Sequence, residues 1–540
     1  MTATTWIEGT TLGDTLLRPA TETPDREAVV FPDARYTYGE VLERSIAVGR
    51  SLIGLGIRAG DHVGILMPNT PDFVFALFGC SLVGAVAVPL NTRYKRRELA
   101  YVVENGDLVT VLTSDVIAEH VDFADLLTGA LEGLAEAADP WNLDLAVAPR
   151  LRRVVLFGPT TRPGMVTEAG FYATGADVEG AEVIERSRRV RIRDIMAMLY
   201  TSGTTANPKG CLLTHEAIIR DWIAVADRNG LGPDDGFWSP CPMFHMSGTG
   251  PMISAFIRSA RFLTMTHFDA NTALDFIAEE AATHLYTAFP TIALGILRHP
   301  DYSPERIPSV RWIMNIAPKD TLRLMQSLIP QAVHVSAYGL TEATGTVCLG
   351  DIGDTWDERE TSGRPLEGVE LRTVDPETGD DTPPDVPGEV LIRGFNCFEG
   401  YYRDAEKTAA TLDEDRWVHT GDLASIDEHG FLTYVGRVKD MLKVGGENVA
   451  PAEIEAHLTG HPAVVLAQVV GRPDEKYTEV PVAFVQLVPG QNATEEELIE
   501  YCRGEIASFK IPRAVHFVDE WPMSATKIRK YRLREIAAGG

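Results

Sequence analysis

The densest group of residues able to do chemistry lies between Ile195 and His215, in IMAMLYTSGTTANPKGCLLTH. An apolar run enters a loop of small hydroxyl residues and glycines, followed by a lysine and a helix. Thr201, Ser202, Thr204 and Thr205 supply hydroxyl donors, and successive backbone N–H groups can form an anion nest. Gly203 and Gly210 let backbone approach a ligand closely. Lys209 adds a positive charge, Pro208 stiffens the loop before it, and Thr214 can cap the helix. Such a loop suits a polyphosphate. It is not a Walker loop, because no lysine follows directly on its last glycine.

Other stretches complement it. In YGLTEAT, Tyr338 to Thr344, a carboxylate beside a hydroxyl on a glycine-containing turn can hold a hard cation that bridges phosphates. In HTGDL, Asp422 follows a glycine, and a carboxylate accepting two hydrogen bonds suits a ribose diol. In CPMFHMSG, His245 sits between Phe244 and Met246, a setting that fits either a packed core residue or the edge of an apolar pocket. GRVKDMLKVGGENVAPAEIE, Gly436 to Glu455, joins Arg437 and Lys439 to a glycine pair and then to a helix with Pro451 in its first turn. The chain closes on WPMSATKIRKYRLRE, with Lys527 and Lys530 three apart.

Positioning these residues requires an α/β scaffold. HVGILMPN, AVAVPLN, VTVLTSD and RRVVLFG are short apolar runs bounded by turn residues, and helical patterns such as TYGEVLERSIAVGRSLIGLGI lie between them. The alternation predicts sheets covered by helices. The apolar stretch from Phe73 to Pro89 reads as a buried helix running into a strand, too short for a membrane span. From about Gly368 strands joined by Pro, Gly and Asp turns predict a β-rich subdomain, with the acidic patch Asp375 to Asp385 as a solvated turn. A smaller α+β segment follows Arg437. The expected boundaries are an N-terminal domain over 1–438, its β-rich part over about 365–438, and a C-terminal domain over 439–540.

Composition narrows the class. At 540 residues with a net charge of −28, the chain reads as soluble, multi-domain and unsuited to general nucleic-acid binding. The six scattered cysteines have no metal-ligand spacing and predict reduced thiols. No signal peptide, membrane span or lipid signal is legible, so a cytoplasmic location is expected. A homodimer is the base-rate expectation.

TSGTTANPKG resembles the phosphate-loop signature of the adenylate-forming superfamily, and the stretches above resemble its further motifs in the same order over nearly the whole chain. The chain is thereby identified as a member of the acyl- and aryl-CoA ligase branch. The resemblance implies a large N-terminal domain of helix-covered sheets with a β-rich subdomain and a small mobile C-terminal domain. It implies ATP and CoA as co-substrates with a small carboxylic acid, and Mg²⁺ on Glu342.

The same resemblance distributes roles residue by residue. Thr201, Ser202, Gly203, Thr204, Thr205, Lys209 and Thr341 would hold phosphates. Tyr338, Gly339, Ala317 and Pro318 would hold adenine, and Asp422 and Arg437 ribose or phosphate. The acyl pocket would draw on His245, Met246, Gly250, Asn315, Gly339 and Thr346, although such families often have Gly where this chain has Asn315. Lys439 would be the hinge, and Lys443, Gly445, Gly446 and Glu447 would meet the pantetheine arm. Lys527, with His245, Thr204 and Glu342, would be catalytic. The family tail usually has Gly before its lysine; here Thr526 stands there, and Lys530 is the fallback. The implied reaction forms an acyl-adenylate and pyrophosphate, then a thioester and AMP. A carrier-protein pantetheine stays open as an alternative acceptor. A luciferase-like oxygenase and a non-catalytic nucleotide sensor are weaker alternatives.

Overall fold

A computed structural model describes residues 10–201, 207–444, 447–474, 476–523 and 528–539, with 447 and 448 as backbone. Two seven-stranded sheets dominate. The first runs Val166–Thr167, Arg153–Phe157, Thr110–Ser114, His62–Leu66, Val86–Pro89, Ile195–Thr201, Lys209–Thr214, parallel except for its last pair. The four apolar runs expected as strands thus lie side by side in it. Their central residues are buried on both faces, as continuous Val/Ile/Leu runs require in a parallel sheet. The second sheet runs Val333–Val335, Trp312–Asn315, His284–Ala288, Gly236–Trp238, Arg261–Leu263, Glu27–Val30, Arg35–Thr37, again antiparallel only at its end.

Helices pack between and over these sheets. Tyr38–Gly54 opens on a capping box, in which Thr37 Oγ1 accepts from the Glu40 N–H while Glu40 Oε2 accepts from Thr37 N, satisfying two helix-end donors at once. Pro71–Val83 is buried along nearly its whole length and stops at Gly84, whose φ of 75° forms a left-handed cap before Val86–Pro89. The apolar stretch is therefore a core helix leading into a strand, as its small residues suggested. Among the described residues no helix is long and apolar enough to cross a membrane.

A four-stranded antiparallel sheet of Val369–Val374, Gly388–Gly394, Val418–Ile426 and Leu432–Arg437 forms the β-rich part. Its acidic connection is an exposed turn in which Asp375 Oδ1 accepts from the N–H groups of Glu377 and Thr378. A 3₁₀ turn, Val438–Asp440, leads to a further sheet built on Leu442–Val444, Val464–Asp474 and Thr478–Leu487, which has its own apolar core around Val449, Ile454 and Val469. All six cysteines are buried and unpaired.

Candidate active site

The sheet order brings the motifs together from the residues upward. Ile195–Thr201 leaves the first sheet and returns antiparallel as Lys209–Thr214, with Thr201 opposite Lys209. The lysine is followed by this strand, not directly by the helix expected from sequence. Helix His215–Arg228 begins only after it, capped by Thr214 Oγ1 accepting from Ala217 N. Ser202, Gly203, Thr204 and Thr205 lie outside the described residues. Gly210 has a different reason to be glycine from the one expected. A Cβ there would lie 2.8 Å from the Met198 sulfur and 3.2 Å from the Tyr200 ring, so its small size serves packing across the hairpin.

One polar cluster joins three separate motifs. Asp422 and Arg437 are register partners on neighbouring strands, and Arg437 Nε lies 2.9 Å from Asp422 Oδ1. The Tyr338 hydroxyl donates to Asp422 Oδ2 at 2.9 Å. Burial, then the Asp422 charge, pushes the Tyr338 hydroxyl well up, so it remains a donor. Asp422 is 4 % exposed, yet Oδ1 has no hydrogen bond of good geometry despite its close ion pair. A nearly buried carboxylate with an unsatisfied lone pair can accept from a ligand hydroxyl. Tyr434, which the sequence reading did not single out, lies roughly parallel to Tyr338 at 6.1 Å. Its signal was the alternating LTYVGR strand that also carries Arg437.

Glu342 sits on the 3₁₀ turn Thr341–Ala343. The turn closes tightly: a Cβ on Gly339 would meet the Gly345 carbonyl oxygen at 1.8 Å, and Thr344 and Gly345 have φ of 53° and 112°. Glycine at both ends is therefore a steric requirement. The Tyr401 hydroxyl donates to Glu342 Oε1 at 2.7 Å, and Phe398 N donates to the Glu342 carbonyl at 2.8 Å. Lys209 Nζ lies 4.7 Å from the centre of the Tyr401 ring. Sequence reasoning passed over this GFNCFEGYY stretch; its aromatic and glycine density was the available signal.

The expected acyl-pocket residues divide. His245 precedes helix Met246–Ile257 as its N-cap, its ring 4.6 Å from that of Phe244. The turn before it is pinned by Asn69, which donates to Cys241 O at 3.0 Å and accepts from Met243 N at 2.8 Å. A Cβ on Gly250 would fall 1.8 Å from the Trp222 indole, so Gly250 admits that ring. Met246 and Gly345 are in contact, since a Cβ on Gly345 would lie 3.0 Å from that of Met246. Asn315 is fully buried. Its amide lies between the Thr287 hydroxyl at 2.8 Å and His334 Nε2 at 3.2 Å, so the side chain joins sheet residues. Ala317 and Pro318 follow that strand, with Pro318 as N-cap of helix Lys319–Leu328.

Beneath the Glu342 turn lies Asp221, fully buried in helix His215–Arg228. Its Oδ1 accepts from Asn396 Nδ2 at 3.3 Å, and the same amide donates to Thr346 O at 3.3 Å. Asp221 Oδ2 and Thr344 Oγ1 are buried without a well-formed hydrogen bond among the described residues. Burial pushes the Asp221 carboxyl well above the ordinary range, which favours its protonated form.

In the C-terminal part, Lys439 is exposed on the Val438–Asp440 turn. Lys443 N donates to Glu479 Oε2 at 2.9 Å. Glu447 opens the strand Glu447–Val449 opposite Val444, whereas Gly445 and Gly446 lie outside the described residues. Lys527 lies outside them too. Lys530 is paired with Glu455 at 2.6 Å, and Arg534 with Asp440 at 2.6 Å.

Residues 16–402 match the AMP-binding enzyme family, and residues 453–527 match the AMP-binding enzyme C-terminal domain. The chain is 35% identical over 97% of its length to a putative acyl-CoA synthetase, YngI, of Bacillus subtilis, covering 96% of that protein. It is 35% identical over 95% of its length to a Mycobacterium tuberculosis 3-[(3aS,4S,7aS)-7a-methyl-1,5-dioxo-octahydro-1H-inden-4-yl]propanoyl:CoA ligase, covering 96% of it. The crystal structure of the anthranilate CoA ligase AuaEII with anthranoyl-AMP superposes with a TM-score of 0.84 at 27% identity, covering 99% of both chains.

Proposed function

We propose, from the premise that this chain belongs to the AMP-binding enzyme family and is an AMP-forming acyl-CoA ligase, a specific division of labour among its residues. The observation that carries it is the convergence of Tyr338, Asp422 and Arg437 in one cluster, with Asp422 keeping an unsatisfied oxygen. In this reading Asp422 accepts from the ribose diol of ATP and Tyr338 lies against adenine. Lys209, Thr201 and the hydroxyl loop of Ser202, Gly203, Thr204 and Thr205 bind the phosphates.

Glu342 fits a Mg²⁺ ligand. Its carboxylate supplies hard oxygen donors, and among the described residues no three His, Cys, Asp or Glu side chains cluster. A cation on Glu342 would therefore take its remaining ligands from phosphate and water, as Mg²⁺ usually does. When bound, Mg²⁺ neutralises charge on the departing pyrophosphate.

The acid's own carboxylate is the nucleophile at the α-phosphorus, so the protein's task is to orient it and to stabilise negative charge on the phosphoryl oxygens. Lys527 does the latter, and His245 lies at the carboxylate end of the acid. After pyrophosphate leaves, the 439–540 domain turns about Lys439 and brings Lys443 and the Gly445–Gly446 loop to the thiol of CoA. The thiol attacks the acyl carbonyl and AMP departs. The acid itself is proposed to have an apolar body, because Met243, Met246 and Trp222 are buried around the His245 motif. We take the enzyme to be cytoplasmic on its six unpaired thiols.

An acid panel with ATP, Mg²⁺ and either free CoA or a pantetheinylated carrier protein tests this reading. AMP release and thioester formation with free CoA and an apolar acid are expected. Turnover on the carrier alone would overturn the acceptor assignment.

A further inference from the structure

We propose that Tyr401 is a positioning residue for Glu342, fixing the carboxylate that receives the metal and coupling it to Lys209. This rests on the reading of Glu342 as the Mg²⁺ ligand. The geometry supplies the rest.

The segment around Tyr401 is laid along the strand that leaves the phosphate loop. Leu212 N donates to Gly400 O at 3.0 Å, Glu399 N to Leu212 O at 2.9 Å and Tyr402 N to Gly210 O at 2.8 Å. Tyr401 and Cys211 form the intervening antiparallel bridge. Lys209 and Cys211 are two apart on a strand and so share a face, which brings the lysine over the phenol ring. The other side of the segment is equally fixed. Tyr401 N donates to Thr408 Oγ1 at 2.9 Å, and Phe398 packs edge-on to the Tyr401 ring at 4.9 Å. Tyr401 is 7 % exposed.

This rigid segment grips Glu342 twice, by Phe398 N on its carbonyl and by the Tyr401 hydroxyl on Oε1. Oε1 is thereby engaged, so the carboxylate is oriented. A cation on the ring face withdraws electron density from the phenol and strengthens its donation. Lys209, Tyr401 and Glu342 therefore form one chain from the phosphate loop to the metal-binding carboxylate. Partners of this kind orient metal ligands, and their loss costs about 10–100-fold in metal affinity.

The test uses the full chain with ATP, no acid, and Mn²⁺ titrated by the paramagnetic resonance of the free ion. Tyr401→Phe keeps the ring under Lys209 and removes only the hydroxyl. Its expected result is an Mn²⁺ dissociation constant raised about 10–100-fold, with metal-free ATP affinity changed far less. Glu342→Gln is measured beside it. If Glu342→Gln binds Mn²⁺ as the wild type does, the metal reading fails. If Glu342→Gln loses Mn²⁺ while Tyr401→Phe retains wild-type affinity, the metal reading stands and the role of Tyr401 is overturned. Combining the substitutions should add no further loss beyond Glu342→Gln alone. Fully additive losses would mean that Tyr401 acts elsewhere, and this comparison holds even where Tyr401→Phe lowers overall stability.

Discussion

Lys527→Ala should reduce acid-dependent exchange of labelled pyrophosphate into ATP by about 10²–10⁴-fold, roughly 3–6 kcal/mol of barrier, while thioester formation from supplied acyl-AMP and CoA stays within a few-fold of wild type. The asymmetry follows from where charge develops. In the first step an anionic carboxylate approaches a polyanion, and the transition state spreads negative charge over the α-phosphoryl oxygens. A fixed cation aimed at that charge is a large catalytic contribution in a site sheltered from water. In the second step the adenylate is already formed, the acyl carbonyl is the electrophile, and that cation is no longer required. Lys530→Ala is the control. Its ammonium is 2.6 Å from the Glu455 carboxylate, whose Oε1 also accepts from Val469 N. Replacing it should perturb the C-terminal domain and both half-reactions alike. Equal loss of both half-reactions in Lys527→Ala would remove the assignment, as would selective loss of the first step in Lys530→Ala.

The scaffold was legible because its signals are local. Apolar runs such as VVLF and ILM are short and bounded by turn residues, which reads as interior strands, and Thr37 with Glu40 marks a helix start without any tertiary information. The motifs with charged or glycine-rich residues were legible for the same reason, and Tyr338, Asp422 and Arg437 do meet in one cluster. Partnerships between distant residues were not. Tyr401 meets Glu342 across 59 positions, and Asp221 meets Asn396 across 175. No spacing rule encodes such contacts; the sheet order creates them. The glycines show the other limit. Gly210 and Gly250 suggested ligand access, but their neighbours are Met198 and Trp222. A glycine's small size is visible in the sequence, and what occupies the space beside it is not. Asn315 shows a related limit: as a deviation from a family pattern it points to altered ligand contact, and its bridge between Thr287 and His334 inside the sheet is not visible in the sequence.

The raised proton affinity of the buried Asp221 carboxyl leads to a prediction in which pH decides the outcome. Its folded-state proton affinity is raised by burial, so the native chain keeps a proton that the unfolded chain releases above the ordinary carboxyl range, near pH 4. Stability from this group is therefore greatest in acid, and declines by about 1.4 kcal/mol per pH unit as pH rises toward the folded-state value. Asp221→Asn removes that loss. The new amide keeps an acceptor for Asn396 Nδ2 and offers a donor to Thr344 Oγ1, which lacks a well-formed hydrogen bond among the described residues. The variant should match wild type near pH 4 and exceed it increasingly toward pH 7.

Buried histidines act in the opposite sense. His215, His284 and His334 are each at most 2 % exposed, and burial lowers each imidazole to about 4. They hold neutral roles: His215 Nδ1 accepts from Leu12 N at 3.0 Å, and His334 Nε2 accepts from the Asn315 amide at 3.2 Å. A lowered folded-state value means that their stability is present above pH 6.5 and is lost as pH falls toward 4, up to about 3 kcal/mol for each histidine by the same linkage. Asp72, raised by burial to about 6, sides with Asp221. Between pH 7 and 5, then, the three buried histidines, which favour unfolding as pH falls, are partly offset by the two buried carboxyls Asp72 and Asp221, which oppose it. Asp221→Asn removes one of the two, so the variant should be more stable than wild type at pH 7 and lose stability more steeply on acidification. Denaturant unfolding of both chains at pH 5, 6 and 7 reads the difference directly. A stability difference that stays constant across those three values would show that Asp221 is ionised in the native chain.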